Sequence, residues 1–237
     1  MSSFTATPPG ALGRVLLIDD DPNIVASLGM YLRQDGYGVS EAGSGEEGLS
    51  SFAATPANVV LVDLLLPGAD GLEVTRSLRS CSDVPVIVVS ACAGTPDIIA
   101  GLEAGADDYV TKPVVPKELS ARIRAHMRRA QLWPNEGATV IFGALEIRLG
   151  TGVARKDGEE LALTRTEFRL LCELASRPGW VMSRPKLLER VWGYDYFGDT
   201  RLVDVHVGRL RSKIEADPAR PALVVTVRGA GYKFERP

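Results

Sequence analysis

Five short apolar runs, each followed by a residue pattern of helical spacing, constrain this chain more than any other feature. The runs are Val15–Ile18, Tyr37–Ser40, Asn58–Val62, Pro85–Val89 and Asp108–Val110. Between them, Ile24, Val25, Leu28, Tyr31 and Leu32 recur at helical spacing after Asp21-Pro22, an N-cap followed by a first-turn proline. Further helices are expected over Gly45–Phe52, over Gly71–Leu78, from Thr95-Pro96 through Ile98, Ile99 and Leu102, and over Glu118–Arg129. Strands that alternate with helices through short links form a doubly wound α/β sheet, parallel and covered on both faces. In that architecture a ligand sits outside the carboxyl ends of the strands.

The residues at those ends are therefore the candidate site. They are Asp19 and Asp20 after the first run, Asp63 after the third, Ser90 after the fourth and Lys112 after the fifth. Asp63 stands in the stretch Asn58-Val-Val-Leu-Val-Asp-Leu-Leu-Leu-Pro67, where an unpaired buried charge would be costly. Taken alone it reads equally well as a turn cap. Three carboxylates brought together repel unless a cation holds them. A hard, oxygen-seeking ion such as Mg²⁺ (or Mn²⁺) suits them and keeps coordination positions for phosphate oxygens. Lysine is a natural point charge for a phosphoryl group, and the Ser90 hydroxyl can donate to one of its oxygens.

The texture changes after the fifth helix. Residues 131–137 read as a short linker containing Pro134 and Gly137. Short strands follow at Val140–Phe142, Leu145–Arg148, Val153–Arg155 and Leu161–Leu163. Thr164-Arg-Thr-Glu167 is a capping box that opens a helix, Ser183 caps a second, and a third runs from about Thr200 to Glu215. A hairpin over Leu223–Thr226 and Tyr232–Phe234 closes the chain. On the third helix Val203, Val207, Leu210 and Ile214 form the inward stripe. The basic residues Arg201, Arg209, Arg211 and Lys213 lie off it, which suits a helix that enters a major groove. Charge agrees: residues 1–130 hold 10 Lys and Arg against 16 Asp and Glu, whereas residues 200–237 hold 8 against 4. No apolar run approaches the roughly 18 residues of a membrane span, and Met1–Leu12 lacks the pattern of a signal peptide. The three cysteines fall in no metal-like spacing, and two histidines exclude a His-rich metal site.

Residues 13–130 resemble the receiver domain of two-component response regulators. The likeness rests on Leu17-Ile-Asp-Asp-Asp21, Val62-Asp63-Leu64 with Pro67-Gly68, Val89-Ser90-Ala91, Gly101-Leu-Glu-Ala-Gly-Ala-Asp-Asp-Tyr109 and Thr111-Lys112-Pro113. It implies that Asp63 accepts a phosphoryl group from a sensor histidine kinase. Asp20, Asp63 and the Leu65 carbonyl would ligate the metal, with Asp19 acting largely through water. Lys112, before a cis proline bond, would pair with the phosphoryl group, and Ser90 and Tyr109 would form a switch. Residues 138–237 resemble the winged-helix effector of the OmpR/PhoB family through Leu163-Thr-Arg-Thr-Glu-Phe168, Val191-Trp-Gly193, Val203-Asp-Val-His206 and Thr226-Val-Arg-Gly-Ala-Gly-Tyr232. By position, Arg201, His206, Arg209 and Arg211 would contact double-stranded promoter DNA from the helix, and Thr226 and Arg228 from the wing. The aromatic loop after Trp192 would meet RNA polymerase.

The resemblance also implies a homodimer of the phosphorylated form, joined by ion pairs across a two-fold axis. Glu103 with Arg124 and Asp108 with Arg122 would supply two of them. Ile98 stands where a basic partner of Glu118 is usual, so one pair is expected to be missing. Gly208 stands in the third helix where relatives often carry a basic residue. Residues 1–12 are expected to be a frayed tail of a cytoplasmic transcription factor that performs no metabolic turnover. A Mg²⁺-dependent phosphatase using an aspartyl-phosphate shares the nucleophile and metal logic, but leaves the basic half unexplained. A regulator that works without phosphate is at odds with the complete acidic set.

Overall fold

The strands form because their apolar runs cannot stay in water, and the helices because they cover both faces of the resulting sheet. A computed structural model describes residues 12–68, 70–127, 139–193 and 199–236. Most of the expected tail, the whole 131–137 linker and residues 194–198 of the aromatic loop lie outside the described residues. The chain divides into two compact units, Met1–Met127 and Arg128–Pro237.

In the first unit five strand–helix pairs follow in order: β1 (Arg14–Ile18), α1 (Pro22–Gln34), β2 (Gly38–Ala42), α2 (Gly45–Ala54), β3 (Val59–Val62), α3 (Gly71–Cys81), β4 (Val86–Ser90), α4 (Thr95–Glu103), β5 (Asp108–Thr111) and α5 (Pro116–Met127). The sheet is parallel, in the order β2-β1-β3-β4-β5. The four residues of β3 are buried, as are the five of β4, so each strand contributes apolar side chains to both layers. Complete burial of one such side chain is worth about 1.5–3 kcal/mol. The helix starts carry local chemistry. Asp21 accepts from the Asn23 amide ahead of α1, Ser44 from Glu47 ahead of α2, and Asp70 from Leu72 ahead of α3.

In the second unit β6 (Thr139–Phe142), β7 (Leu145–Arg148), β8 (Val153–Lys156) and β9 (Glu159–Glu160) form an antiparallel sheet. It is followed by α6 (Arg165–Ala175), α7 (Arg184–Trp192) and α8 (Arg201–Ile214), and closed by the hairpin β10 (Val224–Val227) and β11 (Gly231–Phe234). The fourth strand departs from the expected Leu161–Leu163. Asp157 and Gly158 both adopt positive φ (52° and 84°), so the chain reverses in two residues and pairing resumes at Glu159. Leu161 still donates its amide to the Ala154 carbonyl, but the ladder ends there. Thr164 and Glu167 complete the expected capping box. Val203, Val207, Leu210 and Ile214 are each fully buried, as the helical stripe required.

One contact ties this packing to the site. A Cβ on Gly71 would lie 2.0 Å from the Asp63 carbonyl oxygen and 2.6 Å from the Leu64 Cα. Only a glycine lets the start of α3 approach the loop that carries Asp63. Gly71→Ala is expected to destabilise the first unit by about 1–3 kcal/mol, read as a lower midpoint in urea followed by a probe in that unit.

Candidate functional site

The strand order reverses beside β1, which has β2 on one side and β3 on the other, so a crevice opens at their carboxyl ends. Asp19, directly after β1, is 2% exposed, and Asp63, directly after β3, is 5% exposed. Asp20 is exposed. One carboxylate oxygen from each of the three lies within 4.8 Å of the others. Lys112, directly after β5, places its Nζ 2.7 Å from Asp19 Oδ2 and 2.5 Å from Asp63 Oδ2. Burial alone would pull this ammonium down, but its hydrogen bonds to Asp19 and Asp63 and their charges outweigh that and raise its pKa above the ordinary lysine value. The group stays a cation. Three carboxylates against one ammonium leave two negative charges uncompensated. An all-oxygen donor set with that deficit fits a hard divalent cation.

The backbone fixes these groups. Asp63 donates its amide to the Ile18 carbonyl, and its Oδ1 accepts from the Leu65 amide at 3.2 Å. Leu65 itself stands 59% exposed at the crevice rim. Asp19 Oδ1 accepts from the Asp21 amide at 3.0 Å. The Lys112–Pro113 bond is cis. Ser90 is fully buried at the end of β4. Tyr109 donates its hydroxyl to the Cys92 carbonyl at 2.6 Å, and its ring packs against Gly101. Burial pushes the Tyr109 phenol up to about 12, so it remains a neutral donor.

Of the residues expected at a dimer face, two are paired within the chain. Asp108 is fully buried, and Arg122 is buried beside it. Arg122 donates to both Asp108 oxygens, at 3.0 and 3.2 Å, and pairs with Glu118 at 2.5 Å one helical turn away. The Asp108–Arg122 pair expected between chains thus forms within one chain. Arg124 is held by Asp35 at 3.2 Å and by Ser120 at 2.8 Å. Glu103 is exposed and Ile98 half-buried.

The basic helix α8 also differs in part. His206 is fully buried, its ring 5.2 Å from that of Trp192, so the expectation that it reaches a phosphate is corrected. Its place one position before Val207 on the inward stripe carries it into the core. Arg209 lies 3.0 Å and Lys213 2.6 Å from the fully buried carboxylate of Glu167. Arg211 donates to the Val224 carbonyl and to Thr226 Oγ1, both at 2.8 Å, and lies over the Tyr232 ring. Arg201 is paired with Asp199, whose carboxylate also accepts the Arg201 amide. Thr226 and Arg228 are exposed on the hairpin, and Gly208 is exposed with open space around it. Sequence reasoning read Glu167 only as a cap. The signal it missed was the spacing of Arg209 and Lys213, which aims two cations at one point. It also missed Arg184, which pairs with Asp204 at 2.6 Å and lies over Tyr232.

A sheet of this topology with an acidic crevice and a bridging lysine defines a receiver, joined here to a unit with a basic helix and a hairpin wing. The comparisons agree. Residues 15–124 match the response regulator receiver domain, and residues 158–234 match the transcriptional regulatory protein, C terminal. The DNA-binding response regulator MtrA of Mycolicibacterium smegmatis is 46% identical over 224 residues, covering 94% of this chain and 97% of its own. The transcriptional regulatory protein AfsQ1 of Streptomyces coelicolor is 45% identical over 223 residues, covering 94% and 98%. The structure of DrrB, an OmpR/PhoB homolog from Thermotoga maritima, is 34% identical with a TM-score of 0.50, covering 94% and 98%. The chain belongs to the OmpR/PhoB family of two-component response regulators. It is a DNA-binding transcription regulator and not an enzyme. No helix among the described residues is long and apolar enough to cross a membrane.

Burial opposes the charge on Glu167, but Arg209, Lys213 and the Thr164 amide outweigh it and hold the carboxyl below the ordinary carboxylate range. A depressed folded-state pKa adds stability that is present above the unfolded value, near 4.5, and is lost as pH falls through the lower folded value. Glu167→Gln is expected to destabilise the second unit by about 3 kcal/mol near neutrality, and by less in acid. Urea unfolding at both pH values checks this.

Proposed function

We propose that this regulator is switched by phosphorylation of Asp63 by a sensor histidine kinase, and that the modification favours a homodimer that binds promoter DNA. The observation that carries the reading is the Lys112 ammonium set between Asp19 and Asp63 at the ends of three strands. An Asp63 carboxylate oxygen attacks the phosphorus of a phosphohistidine. The phosphorus–nitrogen bond breaks, and the imidazole leaves with its electron pair and takes a proton from solvent. Lys112 then pairs with the new phosphoryl oxygens, and the Ser90 hydroxyl donates to one of them. Asp19, Asp20, Asp63 and the Leu65 carbonyl would hold Mg²⁺ or Mn²⁺, which when bound neutralises charge on the transferring group. Oxygen donors and the uncompensated negative charge support that choice.

Tyr109 links the site to the opposite edge of the sheet. Its amide donates at 2.7 Å to Asp108, which is held by Arg122, itself paired with Glu118. A hydroxyl drawn toward a phosphoryl group would move Tyr109 and loosen that network, freeing Asp108, Glu118 and Arg122 for a partner copy beside the exposed Glu103, whereas Arg124 would have to leave Asp35 and Ser120. Residues 13–130 would carry the switch and 138–237 the DNA contacts, joined by 131–137 after a tail of residues 1–12. Arg201, Arg211, Thr226 and Arg228 are the DNA contacts we infer. Arg211 and Thr226 are braced on one another, so little side-chain freedom is lost on binding. The loop after Trp192 would meet RNA polymerase, and the protein would work in the cytoplasm.

Acetyl phosphate with Mg²⁺ is expected to give a long-lived adduct of one phosphoryl group, with a shift to dimer in sedimentation. Asp63→Asn should abolish both, and an adduct elsewhere would defeat the assignment. Because a side chain at Gly208 meets nothing within 4 Å, Gly208→Arg should tighten promoter binding and steepen its salt dependence by about one counterion. DNA titrations at several salt concentrations check this.

A further inference from the structure

Away from the face of α8 that carries Gly208, the second unit holds a second concave surface. A pocket of about 680 Å³ lies between the end of α6, the α6–α7 connection and the outer side of α7. No residue of α8 lines it, and the hairpin contributes only Ala230. Its apolar part is Trp180 and Val181, which are 67% and 45% exposed. A tryptophan left this open is an anchor in search of cover, since exposed aromatic patches mark interaction sites and tryptophan dominates binding hot spots.

The charge around it has one prevailing sign. Arg177, Lys186 and Arg190 line the pocket against Glu173 alone. Lys186 is compensated by Glu189 at 2.8 Å. Arg177 lies 5.7 Å over the Trp180 ring, and neither it nor Arg190 makes an ion pair among the described residues. The Arg190 Nε is buried and has no hydrogen-bond partner among the described residues. Each guanidinium carries further N–H donors at its end, which a ligand carboxylate can accept from in bidentate fashion.

We propose that this pocket docks an acidic peptide segment of a partner protein, with carboxylates on Arg177 and Arg190 and an apolar side chain on Trp180. A peptide fits better than duplex DNA. A concave floor with an open tryptophan answers a side chain that projects into it, whereas a phosphate backbone is convex and offers nothing apolar.

The test uses the full chain and a fluorescein-labelled acidic heptapeptide, DEDLFED, with its amide counterpart NQNLFQN as control. Anisotropy should show saturable binding of the acidic peptide and at least about tenfold weaker binding of the control. Trp180→Ala, Arg177→Gln and Arg190→Gln should each weaken the acidic peptide at least about fivefold while leaving promoter affinity and unfolding midpoints unchanged. Arg177 is exposed, so Arg177→Gln carries the test if Arg190→Gln fails to fold. Equal binding of both peptides, or none, overturns the proposal. So does a loss of promoter affinity in these variants, which would assign the pocket to DNA, or a loss of self-association in sedimentation, which would assign it to a second copy.

Discussion

An ammonium group held between two carboxylates is the interaction on which the first unit's chemistry depends. Lys112 reaches Asp19 and Asp63 from a strand two places removed from β3 in the sheet, so the contact exists only if β1, β3 and β5 end at one level. The register of the parallel sheet meets that condition, pairing Ile18 with Val62 and Ser90 with Thr111. Apolar layers on both faces leave the central strands β3 and β4 without charged residues, so at β3 the charge stands where the strand stops. The same low-dielectric surroundings that make an isolated Asp63 costly make its attraction to Lys112 strong.

The second unit answers the same problem in the opposite sense. There a buried carboxylate, Glu167, gathers cations from α8. The basic helix is thereby fixed against α6 by charge as well as by Val203, Val207, Leu210 and Ile214. Arg211 is fixed in turn by Val224, Thr226 and the Tyr232 ring. Side chains already ordered lose less entropy on binding than free ones. A Cβ at Gly208 would meet nothing within 4 Å, so the helix is open there.

Tyr109 stands with Ser90 on the side of the acidic site and Asp108 on the other. Its ring packs where Gly101 leaves room, so it has a defined seat rather than a continuum of positions. Arg122 shows why the seat matters. Its charge is satisfied within the chain by Asp108 and Glu118, and the Tyr109 amide shares the same Asp108 carboxylate.

The alternation of apolar runs with helical patterns determined the doubly wound sheet, since a chain with five such runs has few other ways to bury them. It also determined which residues stand at strand ends, and so the membership of the acidic site. Local capping chemistry was equally legible at Asp21, Thr164 and Ser183. Partner choice was not legible. Whether Arg122 faces another chain or Asp108, whether His206 meets phosphate or Trp192, and whether Arg209 points outward or toward Glu167 depend on contacts between residues far apart in the chain. A basic residue off an apolar stripe is free by sequence alone. Only the tertiary structure decides which carboxylate lies within reach, because that distance is set by how helices and strands pack and not by spacing along the chain.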